Sequence, residues 1–148
     1  PKWKAMVTLL AKPPADAEAY MRLIVRTFKV IGSPAYPMDD DHFRTLMEVS
    51  YRRCFYPDGV ARQLHAINCS GNRTRGLRSL DLPTVVIHGA ADPLIRPAAA
   101  RATASAIPGS SLKVIEGMGH DLPQALWPEI VDAVDSNARR AVSPAAVR

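Results

Sequence analysis

Cysteine is scarce in this chain, with only Cys54 and Cys69 among 148 residues. A fold held together by several disulfides is therefore excluded, and no Cys/His spacing offers a metal site. One disulfide is the most the chain could form. Two unpaired, buried thiols in a reducing compartment are the expectation, and with them a cytoplasmic location. Long apolar runs are also missing. No stretch approaches the roughly 18 residues of a membrane-crossing helix, so no membrane span is expected. Acidic residues fall short of basic ones, leaving a net charge of +5 and a pI near 9.6. The imbalance is confined to one half. Residues 1–80 hold 13 Lys/Arg against 7 Asp/Glu, and residues 81–148 hold 6 against 7. A basic chain raises the question of nucleic acid. The arginines are scattered along helical stretches, however, and no basic run is flanked by aromatics. The group Arg73, Arg75 and Arg78 is the tightest. These charges read as solvated helix faces, and no nucleic-acid partner is expected.

With 47% hydrophobic residues, the chain can build a core of single-domain size. Two short apolar bursts, Thr84–Gly89 and Leu112–Gly117, are rich in Val and Ile and closed by glycine. They read as buried strands of a parallel sheet. Pro97–Ile107 between them is nearly all alanine. Pro97 can start that helix and Pro108-Gly109 stops it. Strand, helix, strand is one βαβ unit with a right-handed crossover. Upstream, helices are expected from Asp16 to about Ile31, from Asp39 or Asp40 to about Phe55, and from Pro57 to Gly71. A short turn, Thr74–Leu80, follows. Tyr20, Ile24, Phe28 and Ile31 recur at helical spacing as a buried face. Phe43, Leu46, Met47, Tyr51 and Cys54 do so on the next helix, and Val60, Leu64 and Ile67 on the third. Trp3, Met6, Val7 and Leu10 give the first residues a helical pattern as well. After Trp127-Pro128, a last helix should pack on the sheet through Ile130, Val131, Val134 and Ala138. Ala141–Arg148 is expected to fray. The chain thus divides into a helical region, 1–80, and an α/β region, 81–148.

Asp92 lies just past the end of the first strand and His120 just past the end of the second. In open α/β sheets this edge is where ligands bind. An imidazole accepts and returns a proton near neutral pH, and does so best when a carboxylate holds its other ring nitrogen as N–H. Asp121 adjoins the histidine but is poorly placed to reach its ring, and Glu116 lies within the second burst. His42 and His65 are helix-surface or packing residues, and His88 reads as structural support.

Gly89-Ala90-Ala91-Asp92 and Gly117-Met118-Gly119-His120 resemble the α/β-hydrolase family, whose acid follows the penultimate strand and whose histidine follows the last. The resemblance runs from about Pro14 to Ala141. It implies an α/β fold made of the C-terminal portion of an α/β-hydrolase: the last two parallel strands with flanking helices, preceded by a helical cap. It implies an esterase-like activity on a small-molecule carboxylic ester, with Asp92 orienting His120 as general base and no metal or organic cofactor. The stretches Gly32-Ser33-Pro34-Ala35-Tyr36-Pro37 and Phe55-Tyr56-Pro57-Asp58-Gly59-Val60-Ala61 are similar to esterases acting on small or polyketide-type esters. It also implies a nucleophile on a Gly-x-Ser-x-Gly turn. That motif is absent: neither Ser33, Ser70, Ser110 nor Ser111 sits in it. The chain is therefore expected to be inactive alone, to need the missing N-terminal half of the fold, and to self-associate through an exposed strand edge. An aspartate at the missing turn would make the parent an epoxide hydrolase or dehalogenase. A non-catalytic binding or assembly module is the remaining alternative.

Overall fold

The computed structural model describes residues 2–11 and 13–142. Five helices come first: α1 (Trp3–Leu9), α2 (Ala17–Ile31), α3 (Asp40–Arg53), α4 (Pro57–Cys69) and α5 (Thr74–Arg78). Then follow β1 (Val85–Gly89), α6 (Pro97–Ala106), β2 (Ser111–Ile115), a 3-10 turn at Gln124–Leu126 and α7 (Trp127–Val142). No helix among the described residues is long and apolar enough to cross a membrane.

The helix starts have local causes. The Asp16 carboxylate accepts from the Ala19 N–H at 2.7 Å, and Asp39 accepts from the N–H groups of Asp41 and His42. Each thereby satisfies donors that a first helical turn leaves open. Pro57 and Pro97 open α4 and α6, where no N–H is needed. Gly32 follows α2, and Gly109 with φ +66° turns the chain after α6.

β1 and β2 run parallel, with Val85 opposite Ser111 and Gly89 opposite Ile115. They form a two-stranded sheet. β2 ends two residues earlier than its apolar run, because Gly117 at φ +72° turns the chain there. Nor are the strands deeply buried. Val85, Val86 and Ile87 are only half-buried, since among the described residues the pair has no strand on either outer edge. Below the sheet, Ile115, Met118 and Leu126 form one core group, joined by Tyr36, Ile87 and Ile130. A second group, Ala5, Ile31 and Leu94, ties α1, the end of α2 and the turn after β1. Aromatic contacts join α2 to α3: Tyr20 with Tyr51, and Phe28 with Phe43, whose ring centroids lie 5.5 and 4.6 Å apart.

Several expected faces are rotated or bare. In and just after α1, Ala5 is buried, whereas Trp3, Val7 and Leu10 are exposed. On α2 the fully buried positions are Met21, Thr27 and Ile31, with Tyr20, Ile24 and Phe28 half-buried. Leu46 of α3 and Val60 and Ile67 of α4 face solvent. α7 meets the sheet side through Ile130, Ala133 and Asn137, whose side-chain amide donates to the Pro83 carbonyl at 2.9 Å. Val131, Val134 and Ala138 lie on its open side. The physical reason is shared: an amphipathic helix shows which face wants cover, but these helices have little body to lie against. Cys54 and Cys69 are free, and both are exposed rather than buried. Ala141 and Val142 continue α7, and the rest of the expected frayed end lies outside the described residues.

One feature of the fold concerns glycine contacts. A Cβ at Gly119 would lie 2.3 Å from the Gly32 carbonyl oxygen, whereas one at Gly76 in α5 would meet nothing within 4 Å. Gly119→Ala is expected to lower unfolding stability by about 1–3 kcal/mol, the usual cost of overpacking. Gly76→Ala is expected to leave it unchanged or raise it by about 0.5–1 kcal/mol. Urea titrations of the two variants check the pair, and equal effects would contradict the assignment of the first as a close backbone contact.

Candidate active site

The turn after β1 is held from both sides. The N–H groups of Ala90 and Ala91 donate to the carbonyls of Ile115 and Met118, each at 2.9 Å. Gly89 has no side chain to obstruct this, and a Cβ there would lie 2.3 Å from the Met118 oxygen. The two loops that follow the strands are thereby laid against each other. At the end of the first, Asp92 folds its side chain back on its own turn. One carboxylate oxygen accepts from the N–H groups of Leu94 and Ile95, at 2.8 and 2.9 Å. The other accepts from His120 Nδ1 at 2.8 Å.

This geometry assigns the tautomer of the neutral ring. A carboxylate can only accept, so Nδ1 carries a proton, and in the neutral imidazole Nε2 is the nitrogen that keeps its lone pair. The two partners differ sharply in exposure. The Asp92 side chain is 4% exposed and that of His120 43%. The acid is thus sealed beneath the ring, and the ring is the member that can meet a substrate. His120 faces a cavity of about 280 Å³ with Ile87, Ile95, Met118 and Leu122 among its walls. A larger cavity of about 530 Å³ lies under α1 and the α2–α3 loop, near Lys2, Lys4 and Lys29. It does not reach His120, so the smaller cavity is the candidate site.

The other residues named from sequence separate clearly. His88 Nε2 lies 3.0 Å from the Ile95 carbonyl, which can only accept, and 3.8 Å from Asp92 Oδ2. It braces the turn that presents the acid. Asp121 accepts from the Ser33 hydroxyl, while the partner of His120 Nδ1 is Asp92. Glu116 is exposed beyond the end of β2. His42 and His65 lie on α3 and α4, away from the pair. In sequence Ser33 is a serine outside the Gly-x-Ser-x-Gly pattern, within the esterase-like stretch Gly32–Pro37. It is buried beside the histidine loop, and its hydroxyl accepts from the Gly119 N–H at 2.8 Å. Its partners lie more than 80 positions away, so no local pattern announces the contact. Among the described residues, no group of three or more His, Cys, Asp or Glu side chains is placed to hold a metal.

Comparison with known proteins agrees with this architecture. A serine hydrolase involved in carbazole degradation superposes with a TM-score of 0.51 over 80% of this chain and 47% of that one, at 20% identity. The chain has a partial α/β-hydrolase fold. Its curated relatives are esterases. Over 138 residues, 92% of its length, it is 28% identical to a rhodomycin D methylesterase of Streptomyces peucetius. The same identity and span relate it to a rhodomycin D methylesterase of Streptomyces sp. strain C5. The chain spans 46% of each of these proteins, about half their length. No family model matches it.

Within this α/β-hydrolase portion, Asp92 carries a testable charge. Burial pushes its carboxyl up, but the hydrogen bonds from His120, Ile95 and Leu94 outweigh burial and hold it below the ordinary carboxylate range. A carboxyl with a lower pKa folded than unfolded contributes stability that is fully present above the unfolded value of about 4. That contribution is lost as pH falls through the lower folded value. Asp92→Asn is therefore expected to be less stable than the wild type near neutral pH, with the gap closing as pH falls through about 4 and below. Urea midpoints of both proteins across this range check it. A gap that stays constant down to the acid limit would contradict the charge assignment.

Proposed function

We propose that this chain supplies the acid–base pair of a carboxylic-ester hydrolase acting on a small-molecule ester, with a methyl ester the favoured class. The observation that carries the proposal is the pairing of a sealed Asp92 with an open His120, its Nε2 lone pair directed away from the carboxylate. The methylesterase relatives support the ester class. The sequence has no Gly-x-Ser-x-Gly turn. The nucleophilic serine is accordingly assigned to polypeptide outside this sequence, in the N-terminal half of the hydrolase fold.

The chemistry follows from the tautomer. Nε2 takes the proton of the serine hydroxyl as its oxygen attacks the ester carbon. Asp92 stabilises the imidazolium through Nδ1–H. The tetrahedral intermediate then collapses, and the imidazolium gives its proton to the departing alkoxide, which leaves as methanol. A water molecule next loses its proton to Nε2, attacks the acyl-serine and releases the carboxylic acid. The serine recovers its proton from His120. Helices α1 to α4 are assigned the role of a cap over the completed cleft; the His120 cavity in this chain is lined by residues of the α/β region.

In a longer enzyme that includes the serine, His120→Ala should lower kcat by about three to six orders of magnitude, because triad members act as a unit. The chain alone should not turn over an activated methyl ester. Mass spectrometry would show no acylated serine. Turnover by the chain alone through an acyl-serine of its own would overturn the proposal.

Among the described residues the outer edges of β1 and β2 carry no strand, and Leu82, Leu122, Val131 and Val134 are exposed. Such edges template pairing with another chain. Sedimentation at micromolar concentration should show dimers or larger species, and a compact monomer with cooperative thermal unfolding would contradict this.

A further inference from the structure

Three buried polar side chains stand out among the described residues: Thr27, Ser33 and Asp92. Thr27 bonds within its own helix, to the Leu23 carbonyl. The other two both converge on His120. Asp92 holds its ring, and Ser33 holds the backbone around it. The Ser33 hydroxyl accepts from the Gly119 N–H at 2.8 Å and donates to the Asp121 carboxylate at 2.5 Å. These are the residues immediately before and after the histidine. The N–H of His120 itself donates to the Ile31 carbonyl at 2.8 Å, and the N–H of Ala35 donates to the Gly117 carbonyl at 3.3 Å. Gly119 lies against Gly32 so closely that no side chain fits between them.

We propose that Ser33 is a positioning residue for the Asp92–His120 pair, and that through it the α2–α3 loop sets where the imidazole stands. The functional part of this statement rests on His120 acting as the general base. A hydroxyl is suited to the task because it is donor and acceptor at once. Alanine would leave the Gly119 N–H without its partner and free the Asp121 carboxylate. The backbone of His120 would then keep the Ile31 contact but lose the brackets on either side. A ring displaced by a fraction of an ångström no longer meets Asp92 in line, and the bond that fixes its tautomer weakens. The coupling also gives the helical region a direct hold on the proton-transfer group, since Ser33 sits on the loop that joins α2 to α3.

The test uses NMR on the chain in its self-associated state, with wild type and variants compared at one concentration, following the His120 Nδ1 proton and the Asp92 carboxyl carbon. Ser33→Ala, with circular dichroism unchanged, should speed exchange of the Nδ1 proton about tenfold, the equivalent of one net hydrogen bond. The Asp92 titration midpoint should rise at the same time, as the bond that lowers it loosens. Ser33→Thr retains the hydroxyl and should restore both signals. A folded Ser33→Ala with unchanged Nδ1 exchange and an unchanged Asp92 midpoint would overturn the proposal. If Ser33→Ala fails to fold, Asp121→Ala removes one of the two bonds and is read in the same way. In the wild type, the Gly119 and His120 amides should open together with the Nδ1 proton, and independent exchange would contradict the coupling. None of these signals needs a nucleophile. Their failure would leave the hydrolase reading intact, and failure of that reading would leave the positioning result standing.

Discussion

Backbone against backbone, without side chains between, is the contact on which this site depends. Gly89 lets the first loop lie on Met118, and Gly119 lets the histidine loop lie on Gly32. Each approach is too close for a Cβ. The first brings the turn carrying Asp92 beside the turn carrying His120. The second presses the histidine turn against the end of α2. Glycine at these positions costs chain entropy in the unfolded state. The return is a pair of hydrogen-bonded side chains, distant in sequence, whose polar atoms lie 2.8 Å apart.

Charge and burial then divide the labour between the two side chains. Asp92 accepts three hydrogen bonds, from two backbone N–H groups and one imidazole N–H, and is nearly sealed from solvent. A buried carboxylate is costly unless its oxygens are filled, and here they are. His120 stays open on the cavity side. The arrangement can hold an imidazolium and release it again, which suits the acid–base steps of ester cleavage. The lysine-lined cavity beneath α1 lacks such a pair, so its greater volume does not make it the reactive site.

Much of this was legible in the chain. The strand bursts closed by glycine, the alanine-rich crossover helix, and the caps at Asp16, Asp39, Pro57 and Pro97 are local patterns with local causes. So are the two glycine-bearing motifs that put Asp92 and His120 at strand ends. What could not be read was set by partners far away in sequence. Ser33 meets Gly119 and Asp121 across the whole molecule. Ala5 is buried because Ile31 and Leu94 happen to cover it, although Trp3 and Val7 are more apolar. Of the expected sheet-facing residues Ile130, Val131, Val134 and Ala138, Ile130 does turn inward, but its companions there are Ala133 and Asn137. Apolar periodicity reports a wish for cover and does not say which neighbour supplies it. The early end of β2 has a similar cause: Gly117 adopts a left-handed turn that the preceding apolar run does not foretell.

The central claim is that His120 Nε2 serves a serine contributed by the rest of the hydrolase fold. A crystal structure of an enzyme that joins this chain to the serine-bearing half of the fold, inhibited with a phosphonate analogue of a methyl ester, tests it most directly. The account predicts phosphorus bonded to that serine and His120 Nε2 within hydrogen-bond distance of its oxygen, with the Asp92 contact to Nδ1 intact. A phosphonylated serine served by a different base, with the His120 ring turned away from it, would contradict the account.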